Sequence, residues 1–260
     1  MEAVAPMRLR QVSSLGLERV KGSYPAAVSL CFLTVIVRVV FWISGRLAEL
    51  LLLPQIGSGA GTAVGLLLTV TLLSPLLLGV KGWHQDLDGE YHSPRGAFRS
   101  FSSWGAYLSA LWYCIVRDMA CLLAVLVPAM PALFLSAVVR LSLRQGGAQA
   151  VFGPFYGIFV LLVLALVVLG FIFSAYLLMG CFLTDYLYVL GEEQNPFRAL
   201  RESQRLMRGE RMRLVRLLIL LLPLGILCVL LAPIPFVVPL IRSALSVYAQ
   251  AEITRQRNGS

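Results

Sequence analysis

Charge is scarce in this chain. Asp, Glu, Lys and Arg make up 13% of its 260 residues, where soluble domains carry roughly 25%. Apolar residues reach 58%, against roughly 45–50% in soluble domains, and the two departures together exclude a soluble globular protein. Histidine is nearly missing, with two residues, His84 and His92. The five cysteines, Cys31, Cys114, Cys121, Cys181 and Cys228, all lie in apolar segments. None is in a short C-x-x-C spacing, so neither a zinc site nor a disulfide framework is expected. They read as small buried hydrophobes. There is no G-x-S-x-G, no H-E-x-x-H, no P-loop and no dinucleotide fingerprint. No catalytic residue, cofactor or enzymatic activity is therefore expected.

The charge that is present is unbalanced. Lys and Arg number 22 against 13 acidic residues, for a net charge of +9. Nucleic acid is not the expected partner, because the basic residues sit beside apolar runs and no groove-reading motif accompanies them. That placement suits a membrane protein facing an anionic inner leaflet. The stretch from Met1 to Tyr24 is charged and lacks a small-residue cleavage site, so it does not read as a signal peptide.

A spanning helix needs about 20 mostly apolar residues. Six segments qualify or nearly so: 25–53, 62–80, 104–135, 152–183, 214–231 and 236–249. Lipid offers no partners for backbone amides, so such segments are helices or closed barrels. The apolar runs are continuous rather than alternating, which excludes a barrel. The expected fold is an all-α polytopic bundle of about six spans, forming a single integral domain over 1–260. Five spans remain possible if 214–249 is not a full hairpin. Placing the N-terminus inside puts 15 Lys and Arg on the inner side and only Arg140 and Arg144 outside. This bias predicts both termini in the cytoplasm. Arg140 and Arg144 are the discordant pair, read as lying on an interfacial helix or snorkelling to lipid phosphates. The tail from Ala251 reads as polar and frayed.

Between spans four and five stands NPFRALRESQRLMRGERMRLVR, residues 195–216. Asn195 can cap free N–H groups, and Pro196 at the first helical position gives up no bond that would have formed. The spacing predicts a cytoplasmic amphipathic helix over 196–209. Phe197, Leu200, Ser203 or Gln204, and Met207 form an apolar stripe beside Arg198, Arg201, Arg205 and Arg208. Such a helix docks anionic lipid or a partner, or is simply a topogenic loop. The motif formed by Asn195, Pro196, Ala199, Ser203, Leu206, Met207, Arg208 and Gly209 resembles the bacterial integral-membrane family known as domain of unknown function 975. Val20 to Leu30 and the LGVKGWHQDLDGE loop are similar to other parts of that family. The resemblance implies a six-span protein of the bacterial cytoplasmic membrane and brings no activity with it.

Ionisable residues within spans are costly and mark candidate sites. The first span holds Arg38, Arg46 and Glu49. Arg38 and Glu49 project about 20° apart on a helix, and Arg46 and Glu49 are i,i+3 neighbours. The third span holds Arg117 and Asp118. Adjacent residues diverge by about 100°, so Asp118 is expected to need a partner on another helix, with Arg38 at a similar nominal depth. Arg242 lies in the sixth span. One reading is a polar path for an ion or solute; the other is a set of interhelical ion pairs that hold the bundle. The run His84, Asp86, Asp88, Glu90, His92 would put five ligands on one face of an extended strand. It sits in a loop with a turn at Asp88-Gly89, and a solvated loop, without metal, is the expectation. The function expected is that of a non-catalytic structural or regulatory membrane component. It docks lipid, a membrane-protein partner or another copy of itself through its basic face. The alternative is a transporter or channel-like protein.

Overall fold

The computed structural model of the chain describes residues 9–56, 60–88, 90–144, 156–227 and 234–258. Among them the regular elements are all helical, with no strand. Five helical segments are long and apolar enough to cross a membrane: Tyr24–Leu50, Gly61–Gln85, Trp104–Val138, Val160–Val189 and Ile234–Arg257. The chain is a membrane-embedded, all-α protein. It divides into two compact units, one of Met1–Val116 with Leu183–Ser260 and one of Arg117–Phe182.

The larger unit begins with α1 (Leu9–Lys21), two turn residues, and α2 (Tyr24–Ile56). Then come α3 (Ala60–Leu68), a π-turn over Thr69–Leu73, and α4 (Ser74–Gln85). The π-turn has an identifiable cause. Pro75 has no N–H, so the carbonyl of Thr71 loses its ordinary helical donor. The Tyr107 hydroxyl supplies one instead, at 3.0 Å. The Thr69 and Thr71 hydroxyls bond back to the Gly65 and Leu67 carbonyls at 2.8 Å, which eases the wider turn. The second crossing is longer than 62–80 and is locally underwound at the π-turn.

α2 and α3 pack through glycine. Gly61 and Gly65 form a G-x-x-x-G pair, and a Cβ placed on Gly61 would strike the Gly45 carbonyl and Glu49 of α2. Apolar side chains gain little by meeting each other instead of lipid, so membrane helices associate where small residues let backbones close. The next turn of the chain is pinned at Ser23. Its hydroxyl donates to the Glu90 carbonyl at 2.7 Å and accepts from the His92 amide at 2.6 Å. A 3₁₀ helix, Pro94–Phe101, then lies on α4. Ser93 caps it, and buried Trp83 donates its indole N–H to the Ser93 carbonyl at 2.9 Å.

The third apolar run forms α5, Trp104–Arg144, which continues well past residue 135. Pro128 and Pro131 lie inside the helix without ending it, so Arg140 and Arg144 belong to helical backbone rather than to a loop. In the smaller unit α5 packs with α6 (Tyr156–Gly180), where Gly170 admits the Pro128 carbonyl. α6 stops at Gly180 rather than 183 because Cys181 and Phe182 bond to the Leu178 and Met179 carbonyls in a tight turn.

The chain returns to the larger unit with α7 (Thr184–Val189), α8 (Pro196–Leu206), α9 (Arg211–Leu227) and α10 (Ile234–Asn258). The expected span 214–231 corresponds to α9, whose last residues fall outside the described ones. The expected short span 236–249 is part of α10. The tail read as frayed is helical through Asn258, because α10 pairs with α1 along its length. The pairing is antiparallel. Tyr24 Oη donates to the Phe236 carbonyl at 2.8 Å, Leu240 packs beside Val20, and Ser243 Oγ donates to the Gly16 carbonyl at 2.7 Å. Farther along, Arg19 donates to Gln250 at 2.6 Å.

Gly61→Leu tests the glycine contact. Overpacking of this kind costs about 1–3 kcal/mol. The detergent-solubilised protein is expected to melt roughly 2–10 °C lower. Gly225→Ala, with nothing near the added Cβ, is expected to melt no lower than the parent. Equal melting temperatures for Gly61→Leu and the parent would remove the close contact between α2 and α3.

Candidate functional site

Four polar constellations stand out among the described residues. The first is the row of arginines on α8. Asn195 caps the helix by accepting from the Phe197 amide at 3.0 Å. The helix ends at Leu206, with Met207 as its C-cap and Gly209 at φ 93°, so it is shorter than 196–209. Its buried face matches the expected stripe at Ser203 and Met207 but not at Phe197. Pro196, Ala199, Ser203, Leu206 and Met207 are buried, Leu200 is half-buried, and Phe197 is 63% exposed. Ala199 packs against Leu78 and Tyr113. The inner face of the helix therefore meets protein, not lipid. The outer face carries Arg198, Arg201, Arg205 and Arg208, all exposed. Arg198, Arg201 and Arg205 project within about 60° of one another at 100° per residue. Glu202 lies 3.6 Å from Arg205. Arg198, Arg201 and Arg208 have no ion-pair partner among the described residues.

The second constellation holds α8 in place. Lys81 of α4 forms an ion pair with Asp185 of α7, and Tyr113 Oη donates to the other Asp185 oxygen at 3.4 Å. Asp185 is 5% exposed. Tyr113 stacks on Tyr188 with ring centres 4.0 Å apart, and the Tyr188 hydroxyl meets Ser109 at 3.1 Å. Sequence reasoning missed this pair. The available signal was Asp185 at the end of a long apolar run, where a carboxylate needs a partner.

The third is a network at the start of α9. Glu252, 2% exposed, lies 3.4 Å from Arg213 and 3.7 Å from Arg255. Glu210 lies 3.8 Å from Arg213 and 3.0 Å from Arg255. Gln256 joins by donating to Glu252 and to the Leu206 carbonyl, both at 3.2 Å. Arg257 reaches Glu192 at 3.0 Å. These alternating charges lock the α8–α9 turn to the segment expected to be frayed.

The fourth is the furrow between α2 and α3, with a volume of about 430 Å³, which Arg38, Trp42, Arg46, Glu49, Thr62 and Thr69 help to line. Three of the expected polar residues do come together here. Arg46 pairs with Glu49 at 3.0 Å and lies over the Trp42 ring at 5.8 Å. Arg117 and Asp118 belong to the smaller unit, and they pair with each other. Arg117 Nε and a terminal nitrogen reach one Asp118 oxygen at 2.9 and 2.7 Å. The expectation that neighbours 100° apart could not meet is wrong, because the long arginine side chain curls back across the helix surface.

The His/Asp run does not form a metal cluster among the described residues. His84 is helical and buried, with Nδ1 at 3.0 Å from the Val80 carbonyl. Asp88 instead accepts from the Glu90 amide at 3.0 Å, and Asp86 lies 3.4 Å from Arg99. The alternating pattern is broken because its first residue belongs to α4 and the others to a turn.

The chain matches no family model, no curated protein and no solved structure.

The Lys81–Asp185 pair allows a direct test. Breaking a buried pair costs about 3–5 kcal/mol, and partial exposure of Lys81 lowers this to roughly 2 kcal/mol. Asp185→Asn is expected to melt at lower temperature and to expose α8 to proteolysis. The double variant Lys81→Met with Asp185→Leu is expected to recover most of the loss. No recovery in the double variant would make the destabilisation a matter of shape rather than charge.

Proposed function

We propose that the protein is a non-catalytic structural or regulatory component of a bacterial cytoplasmic membrane, with both termini cytoplasmic, that docks anionic lipid through the outer face of α8. The observation that carries this reading is the two-sided use of that helix. Its apolar side is spent on the protein core, while Arg198, Arg201, Arg205 and Arg208 stay exposed. An arginine row fixed on a rigid helix is a preorganised surface for lipid phosphates, worth about 1 kcal/mol per residue near an anionic surface. Arginine also matches phosphate bidentately. A membrane-protein partner with an acidic face, or a second copy of this chain, would use the same surface. The inward orientation rests on the Lys and Arg bias. The bacterial assignment rests on the resemblance of residues 195–209.

The runner-up is a transporter or channel-like protein. It is favoured by the furrow that carries Arg38, Arg46 and Glu49, whereas Arg117 and Asp118 pair with each other.

Two measurements test the proposal. In nanodiscs, anionic lipid is expected to stabilise the parent protein more than neutral lipid does. Replacing Arg201, Arg205 and Arg208 by Gln should remove most of that difference, as should high salt. An undiminished difference would sink the lipid-docking reading. For orientation, a lone cysteine at Gly146, which lies outside the described residues, is expected to label from the outer side of intact cells. Protection there would reverse the topology.

A further inference from the structure

α8 starts well inside the apolar segments that it packs on. Ala199, in its first turn, shares a cluster with Leu78 of α4 and with Ala110, Tyr113 and Cys114 of α5. Leu78 lies seven residues before Gln85, where the second apolar segment ends. Ala110 to Cys114 lie six to ten residues after Trp104, where the third begins. At about 1.5 Å per residue, these positions are about 9–15 Å inside the ends of their segments. Trp104 is 74% exposed, and tryptophan in spanning helices concentrates at the headgroup level. The polar layer on each side of a bilayer is only roughly 5–8 Å thick. The first turn of α8 is therefore level with the start of the hydrocarbon, not with the water beyond.

At that level α8 turns Phe197 outward. The ring projects about 40° from Arg201 and about 80° from Arg205 around the helix, so it shares the outer face with the exposed arginines. At hydrocarbon depth a phenylalanine gains by leaving water for acyl chains. Arginine there is costly unless its long side chain reaches back to the phosphates. Arg198, Arg201, Arg205 and Arg208, with Glu193 and Glu202, border a hollow of about 690 Å³. The hollow has room for a phospholipid headgroup, and its four positive charges against two negative ones favour an anionic lipid. We infer that the start of α8 is sunk into the leaflet beside it, with Phe197 among acyl chains and the arginines reaching back to the phosphates of anionic phospholipids. This rests on the lipid-docking reading and makes it more specific: α8 is an inserted anchor, not a charged surface resting on the headgroups. A soluble acidic partner or a second copy of the chain would put protein against Phe197 instead.

The test replaces Phe197 by p-benzoylphenylalanine, which couples to nearby C–H bonds on irradiation, in the full chain in phosphatidylglycerol nanodiscs. Intact mass spectrometry is expected to show a single phosphatidylglycerol adduct as the main product, with fragmentation placing the link on an acyl chain. The acyl adduct should also form in phosphatidylcholine, because the packing of Ala199, not the headgroup charge, sets the depth of the ring. A link to the headgroup alone, no lipid adduct, or a crosslinked dimer overturns the inference. If that variant does not fold, Phe197→Trp in acyl-brominated phosphatidylglycerol decides the matter. The fluorescence it adds to the parent's is expected to be quenched there, and unquenched added fluorescence overturns the inference. An acyl adduct together with an undiminished anionic-lipid effect in the Arg201, Arg205 and Arg208 to Gln variant would sink the docking reading and leave the insertion of Phe197 standing.

Discussion

The Lys81–Asp185 ion pair is the constraint on which the exposed surface of the larger unit depends. α7 has six residues, too few to be stable as an isolated helix. It holds its place because Asp185 is anchored to α4 through Lys81 and to α5 through Tyr113. Arg99 adds a bond to the Val189 carbonyl at 3.2 Å, at the end of the same turn. Only with α7 fixed can Ala199 seat against Leu78 and Tyr113. That seating in turn decides which side of α8 faces outward. A buried pair is weak evidence of net stability, but it specifies one arrangement over others. The outward arginines are thus set by a carboxylate several residues away from them.

Polar groups do the locating throughout this chain, as expected where the solvent is itself apolar. The α2–α3 hairpin closes on glycines rather than on large side chains. The π-turn is stitched by three hydroxyls. The loop after α4 is tied to Ser23. Meanwhile α5 and α6 turn much of their apolar surface outward, with Phe134 and Phe171 more than 70% exposed. That surface is ordinary in lipid, and its exposure carries no message of its own.

Much of the architecture was legible from hydropathy and from a few local signals. Continuous apolar runs located the helices, and Asn195-Pro196 marked the start of α8. Three things were not legible, for separate reasons. The ends of α5 and α10 were misjudged because proline and polar residues weaken a helix locally, whereas neighbouring segments decide whether it continues. The stripe of α8 was right at Ser203 and Met207 but not at Phe197, which faces outward, and it left out Ala199. Small Ala199 packs more closely than Phe197, and hydropathy undervalues it. Asp118 was not expected to pair with Arg117, because the direction of the Cβ does not show the reach of an arginine side chain. Of the candidate residues, Arg38, Arg46 and Glu49 were found together as periodicity suggested, while Lys81, Asp185 and Glu252 passed unnoticed. Asp185 and Glu252 become conspicuous through their burial, and Lys81 only as the partner of Asp185.

The antiparallel pairing of α1 with α10 bears on the order in which the protein can be built. Residues 9–21 emerge from the ribosome long before their partner, residues 234–258. Until residues 234–258 are made, Gly16 lacks the Ala244 backbone it packs against, whereas Val20 can already join Ala26, Ala27 and Leu30. The larger unit is therefore closed by α10, with the smaller unit's residues 117–182 already made in between. A chain cut short before α10 would keep its earlier apolar segments but leave the Gly16 face of α1 open.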